Sequence, residues 1–381
     1  MHGQIISRGK NTWLVRVPIG RSATGTRLHH NKTLHGTKKD AQRYLTRVLR
    51  ELDTGAFVQP TARTLNDFMR ECLDGPVKQR VRDKTLEDYE GLAKRHILPL
   101  LGHRRLDQLT PAEIQAAYGK LAVKGLSART IRYAHSVLHG TLEQAVKWGY
   151  LARNPAKLVD LPRMERAPMR SLTRTDATRF LSAMEGTRWE ALWVLLISTG
   201  LRPGEALALR WVDVDGGRLK VQRALVRRND GRYIFAEPKT DRARRAVTLP
   251  GSVIAVLNQH HELQDKERAI AGETWNDLGL IFAAANGEPL DFRCTVSRYF
   301  RPIIKKLGLS VRPYDLRHTC ATLLLSAGEN IKVVSERLGH ASSTLTLDVY
   351  SHVLPDMQQK AAERLEELLF SPPEADEDEA N

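Results

Sequence analysis

Three stretches of the chain follow three different periodicities, and together they predict a multidomain α+β protein. Residues 1–58 alternate short strand-like runs with turn residues and close on a capped helix, which predicts a small three-stranded sheet plus helix. Residues 62–158 keep helical spacing throughout and predict an all-α domain. Residues 168–370 are mainly helical but shift to a period of two between Arg218 and Leu249, which predicts a mixed, mainly α domain with a small antiparallel sheet. The last segment, 371–381, holds five acids and two prolines and is expected to be a disordered acidic tail.

In the first module, Ile5-Ile6, Trp13 to Val17 and Arg27 to Leu34 are the strand candidates, punctuated by Arg8 to Asn11 and by Pro18 to Gly25. Thr37 with Asp40 three residues on forms a capping box that opens a helix, and Gly55 closes it. Residues 1–57 carry eleven Lys and Arg against three acids, so eight of the fifteen surplus positive charges fall there. Arg16 alternates with Trp13, Val15 and Val17, so a sheet could present Arg16, Arg27 and Lys32 to a DNA groove.

The net charge of +15 and pI near 9.8 point to a polyanionic partner, most simply nucleic acid, although a ribosome-associated or membrane-surface protein would share them. Three widely spaced cysteines, Cys72, Cys294 and Cys320, without a CxxC spacing argue against a disulfide framework or zinc ribbon and suit the cytoplasm. No signal peptide is visible, and the longest strongly apolar run, Ala191 to Ile197, is too short to span a bilayer. The thirteen histidines lack ligand spacing, and His260-His261 reads as a helix-surface pair. No metal, cofactor or membrane partner is expected.

In the second stretch, Thr85 to Leu98 predicts a helix that Pro99 interrupts near its end. Thr110-Pro-Ala-Glu113 is a capping box with proline in the first turn. Ser127 opens a long helix to Trp148, ended by Gly149, with Arg129, Arg132 and Lys147 on it. The third stretch begins with a cap at Thr173 to Asp176 and an apolar helix over Trp189 to Ser198. Thr199-Gly-Leu-Arg202-Pro-Gly-Glu205 follows, where Gly200 and Gly204 permit a tight turn that aims Arg202 outward and Glu205 lies close enough to orient it. Leu219 to Gln222, Tyr233 to Phe235 and Ala246 to Leu249 are strand-like, with a turn at Asn229-Asp-Gly231. Between the last two lies Pro238-Lys239-Thr-Asp-Arg242, where Arg242, Arg244 and Arg245 are candidate phosphate contacts. Helices are predicted over Ile254 to Glu267, Phe292 to Leu307 and Met357 to Leu369, the last with Ala361, Leu365, Leu368 and Leu369 in one stripe.

Four groups able to handle a phosphate or a proton, Arg317, His318, His340 and Tyr350, then fall within some forty residues. Gly328 and Asn330 mark the end of one helix and the cap of the next. Arg317-His318, then Leu338-Gly-His340, then Tyr350 ten residues later, accompanied by the Arg202 box and a lysine loop, resembles the signature of the tyrosine recombinase (phage integrase) family.

The resemblance implies roles. Tyr350 would be the nucleophile that forms a 3′-phosphotyrosine, Arg202 and Arg317 would clamp the phosphate oxygens, His340 would donate a further hydrogen bond and Lys239 would protonate the leaving 5′-oxygen. Glu205 and His318 would support them. The family pattern has His three positions before the second Arg, where this chain has Tyr314. A phenol can hydrogen-bond to phosphate but is a poor base near neutrality. The resemblance also implies an arm-type DNA-binding domain at 1–58, a core-binding domain at 62–158 and a catalytic domain at 168–370. The function it implies is a site-specific recombinase that integrates and excises a mobile element through a Holliday junction. Its expected partners are double-stranded DNA at core and arm sites, a homotetramer, and accessory DNA-bending or directionality factors. A resolvase of transposon or chromosome type, a catalytically silent DNA-binding regulator and a monomeric type IB topoisomerase are the rival readings.

Overall fold

The computed structural model describes residues 2–21, 26–54, 57–58, 61–165, 169–237 and 244–340, together with 342, 344, 346–347, 362–363, 365–366 and 369–370. The chain divides into two compact units, Met1–Arg166 and Ala167–Asn381.

The first unit holds two separate cores. In one, β1 (Gln4–Gly9), β2 (Thr12–Arg21) and β3 (Arg27–His35) form an antiparallel sheet in that order, and α1 (Lys38–Asp53) packs against it. Asn11 takes a left-handed φ of 60° in the tight β1–β2 turn, a conformation asparagine tolerates better than most residues. Pro18, expected to lie outside a strand, sits inside β2, where the register with β3 shifts between Pro18 and Gly20. A bulge is where a strand can accommodate a residue without an N–H. Val15 and Val17 are fully buried against Ala41, Leu45 and Val48 of α1, whose capping box at Thr37 and Asp40 forms as the sequence indicates.

The other core is helical: α2 (Leu65–Cys72), α3 (Asp83–Leu92), α4 (Pro111–Val123) and α5 (Ala128–Lys147) bury Phe68, Leu106, Ile114, Ile131 and Leu138 completely or nearly so. Trp148 and Tyr150 set ring edges on Phe68 at 5.7 and 5.4 Å. Pro99 does not stop α3. The chain passes through a widened turn at Ala93–Ile97 and continues as helix over Leu98–Leu101, and Pro76 lies within a similar turn at Leu73–Val77. Widening moves the carbonyl that a proline ring would strike in a regular helix.

The second unit begins with α6 (Arg174–Met184), α7 (Glu190–Thr199) and the single turn α8 (Pro203–Ala206). Its strands β4 (Val214–Asp215), β5 (Arg218–Val221), β6 (Ala224–Arg227), β7 (Tyr233–Ala236) and β8 (Arg245–Thr248) make two small sheets, β4-β5-β8 and β6-β7, all antiparallel. The Tyr233 strand therefore pairs with Ala224–Arg227, a strand the sequence reading did not predict, and the Asn229–Gly231 turn closes that hairpin. Then come α9 (Gly251–Ala271), α10 (Phe292–Thr295, continued through Val296–Phe300 and Arg301–Lys306), α11 (Asp315–Ser326) and α12 (Ile331–Leu338).

The core of this unit centres on Phe180, Trp193 and Phe300, with Phe300 5.6 Å from Phe180 and 4.9 Å from Trp193. A smaller cluster of Ala321, Leu325, Val334 and Leu338 holds α11 to α12. His260 is not a surface residue: it is 6% exposed, bonds the Ile281 carbonyl at 2.8 Å and lies against Phe282, while its neighbour His261 faces solvent. Among the described residues no helix is long and apolar enough to cross a membrane, and no group of three or more His, Cys, Asp or Glu side chains could hold a metal ion. Phe180→Ala should cost about 3–5 kcal/mol of stability, because it opens a cavity at the point where three aromatic rings meet. Thermal or urea denaturation reads this directly, and a cost under about 1 kcal/mol would contradict this account of the core.

Candidate active site

Gly200 ends α7 with φ 66°, and a Cβ there would fall 2.5 Å from Leu338 and 3.4 Å from the Cys320 thiol. A glycine is needed for both reasons, and the turn it makes delivers Arg202 to the N-terminus of α8. Gly204 serves another purpose: a Cβ would meet the Leu225 carbonyl at 2.9 Å, so its absence lets α8 approach β6. The Glu205 carboxylate, 7% exposed, accepts from the Arg202 backbone N–H at 3.1 Å, from Arg202 Nη1 at 2.6 Å and from Arg245 Nη2 at 2.9 Å. Burial alone would raise the Glu205 pKa; the Arg245 charge and hydrogen bond, followed by Arg202, outweigh it and hold the carboxyl below its ordinary range. Arg202 keeps 38% of its side chain exposed.

Arg317 sits on the first turn of α11 and is 2% exposed. Its Nη1 donates to the Gly200 carbonyl at 2.7 Å, which ties α11 to the Arg202 turn. Its Nη2 is buried with no hydrogen-bond partner among the described residues. Burial, then repulsion from Arg202, pulls its pKa down to about 10. The helix start is fixed by Asp315, fully buried, which accepts from the Arg312 backbone N–H at 2.8 Å and from its guanidinium at 3.1 and 3.2 Å. Thr319, one turn on, accepts the Leu172 N–H at 3.0 Å.

Tyr314 caps α11 and is 44% exposed, with its ring 5.4 Å from that of His318 in an edge-on arrangement. His318 is half-buried, and its pKa is lowered chiefly by burial, with Asp315 working the other way.

Asn330 caps α12, which ends at Gly339 with φ 68°, and His340 follows. His340 Nδ1 shares a hydrogen bond of 2.8 Å with the hydroxyl of Thr346, a fully buried residue. That bond fixes the ring's orientation. Burial, reinforced by Arg317, Arg202, Arg245 and His318, lowers the His340 pKa to about 4. The ring is therefore neutral at physiological pH, with one nitrogen engaged by Thr346 and the other left to interact with a ligand.

The structure thus brings together Arg202, Glu205, Arg317, His318 and His340, with Tyr314 at the edge. Lys239, Arg242 and Tyr350 lie outside the described residues. Sequence reasoning missed two members. Arg245 was one of three equivalent-looking arginines, and the alternation of β8, which opens at Arg245, is what could have marked it as inward-facing. Thr346 was read only as context that favours Tyr350 as nucleophile, not as a partner of His340.

Of the expected DNA contacts, Arg16, Arg27 and Lys32 are all exposed on the sheet, with Lys32 opposite Val15 in the β2–β3 ladder. Arg129 is exposed over the Tyr133 ring, whereas Arg132 is half-buried and spends Nη1 on the Pro162 carbonyl at 3.2 Å. Leu365 and Leu369 are 56% and 64% exposed; Ala361 and Leu368 lie outside the described residues.

The His340 ring should titrate near pH 4 in an NMR pH series rather than at the ordinary 6.5. Since the unfolded chain binds that proton first, the stability contributed by the neutral ring is complete above pH 6.5 and is lost progressively as pH falls towards 4. A midpoint near 6.5 in the folded protein would refute the burial and charge crowding described here.

The model of the Phage integrase family matches residues 170–357, and that of the phage integrase N-terminal SAM-like domain matches residues 64–122. A tyrosine recombinase XerC-like protein of Caldanaerobacter subterraneus subsp. tengcongensis is 31% identical over 388 residues, covering 96% of this chain and 98% of its own length. An integrase of Streptomyces ambofaciens is 30% identical over 369 residues, covering 93% and 92%. Among solved structures, the Tn1549 transposon integrase in complex with transposon right end DNA superposes with a TM-score of 0.68 over 79% of this chain and 99% of that one, at 23% identity, a likeness of fold. The box of Arg202, Arg317 and His340 therefore sits in a chain that belongs to the phage integrase family, the tyrosine recombinases, which break and rejoin DNA.

Proposed function

We propose that the chain is a site-specific recombinase that integrates and excises a mobile element, with Tyr350 as its nucleophile. The phenol of Tyr350 gives up its proton to solvent as its oxygen bonds to the scissile phosphorus, the bond from phosphorus to the 5′-oxygen breaks, and Lys239 supplies the proton that the departing oxygen takes up. The 3′-phosphotyrosine keeps the phosphodiester energy, so a 5′-hydroxyl from a second strand attacks it, returns the phenol and seals the backbone. Arg202 and Arg317 neutralise the non-bridging oxygens as charge builds in the pentacoordinate state, and neutral His340 donates a hydrogen bond to one of them.

The single observation that supports this best is Arg317 Nη2, buried without a hydrogen-bond partner among the described residues. An unsatisfied buried cationic donor costs roughly 1–3 kcal/mol or more, and a phosphate oxygen is the ligand that would satisfy it. Arg202, anchored to Glu205 yet partly exposed, suits the second arm of such a clamp. Tyr314 stays a phosphate hydrogen-bond donor in this reading, not a base.

Exchange between two duplexes cuts four strands, and one nucleophile for each implies a homotetramer and a Holliday junction between the two rounds. The basic module at 1–58 would hold separate arm DNA through Arg16, Arg27 and Lys32, while 62–158 and 168–370 would each contact core-site DNA, with Arg129, Arg132 and Arg242 among the phosphate contacts. The reaction takes place in the cytoplasm, with accessory DNA-bending proteins setting its direction.

A pool of nicked duplexes with random core sequence, incubated with the chain and then with SDS, should yield covalent protein–DNA adducts. Tyr350→Phe should abolish them. Arg317→Ala should slow their formation by about 10²–10³-fold, the usual consequence of removing one preorganised donor. Strand transfer that survives in Tyr350→Phe would overturn the reading, and DNA binding without any adduct would favour a silent regulator.

A further inference from the structure

We infer that Arg245 is a positioning residue of the strand-cleavage site, one that keeps the Arg202 turn and the His340 turn in fixed register without touching DNA itself. The inference rests on the recombinase reading above and adds a member that the sequence boxes do not contain.

Arg245 opens β8, immediately after the loop that carries Lys239, and its backbone pairs with Val221 of β5. Its side chain is 6% exposed, against 38% for Arg202, so it is shielded from a duplex that Arg202 can reach. The planar guanidinium is used on three sides. Nη2 donates to Glu205 at 2.9 Å, and Nε donates to the Arg337 carbonyl at 2.7 Å, one residue before the end of α12. The Nη1 edge lies under Gly339, where a Cβ would stand 2.8 Å from Nη1 and 3.0 Å from the central carbon. One group therefore grips the carboxylate that orients Arg202 and the turn that launches His340, from the strand at which the lysine loop ends.

A lysine could not do the same. Its ammonium is a point charge on a flexible stem, able to reach Glu205 or the Arg337 carbonyl but without a rigid fork that fixes both. A buried charge serving stability alone would predict loss of folded protein and an unaltered rate in whatever remains. A positioning role predicts slower chemistry in fully folded protein that still binds DNA, because displacing a reacting group by an ångström is enough to slow a positioned reaction.

The test uses the full-length protein and a nicked duplex whose core sequence has been recovered by wild-type covalent capture from the random pool. Single-turnover adduct formation at saturating duplex is measured beside equilibrium binding and the circular dichroism melt of each preparation. Arg245→Gln should form adducts about 100-fold more slowly with duplex affinity within about 3-fold of wild type. Arg245→Lys, which keeps the charge, should lie between, at about 10-fold slower. The double variant Arg245→Gln with Glu205→Gln should be slowed by less than the product of the two single losses, since the two share one contact.

Should Arg245→Gln fail to fold, Arg245→Lys decides. Folded Arg245→Lys cleaving at the wild-type rate overturns the inference, as does a loss that appears wholly in binding or wholly in the folded fraction. If the wild-type chain itself yields no adduct, the recombinase reading falls and takes this assignment with it. If it does and the Arg245 variants match it, the assignment falls alone.

Discussion

The second unit depends on one buried carboxylate. Glu205 would be an unfavourable charge to remove from water, and it is tolerated because two guanidiniums and a backbone N–H converge on it. Those donors arrive from separate parts of the chain: Arg202 and Glu205 from the turn after α7, Arg245 from β8, which is forty residues away. Arg337 then bonds the Ser198 carbonyl at 2.8 Å and that of Thr248 at 3.3 Å, which closes α12 onto the same two elements. Loss of either arginine leaves Glu205 with one guanidinium partner, so the cluster loosens at the side that was lost.

Around that anion, among the described residues, the charged neighbours that act on His340 are cations. Arg317 donates to a carbonyl, and both it and His340 lose proton affinity, chiefly to burial and then to the cations beside them. The fold thereby holds cations closer together than they would choose. An anion entering between them is welcomed by groups that need no rearrangement, which is the physical content of electrostatic preorganisation. Tyr314, at the rim and substantially exposed, adds a neutral donor where family members carry a histidine and a further potential charge.

Much of this was legible from residue order, for local reasons. Caps at Thr37, Thr110, Ser127, Thr173 and Asn330 all formed as read, because a cap is satisfied by its own next turn. The Gly200 turn was likewise visible. What escaped was decided by distant partners. The Tyr233 strand chose a neighbour the pattern had not marked as a strand, and Pro99 was absorbed by a widened turn. His260 was drawn inward by a carbonyl twenty-one residues on. Arg245 was indistinguishable from Arg242 and Arg244 in sequence, since only tertiary contact with Glu205 sets it apart.

Cys320 lies beneath the Gly200 turn, 4% exposed, with its thiol 3.7 Å from the Ser198 carbonyl and its pKa raised by burial. A thiol kept protonated and out of reach is inert to alkylating reagents while the turn is closed. Its labelling rate is therefore a clock for local opening at the Arg202 turn, and any molecule that seats itself between the two arginines and tightens that turn will slow the clock without a chemical step having occurred.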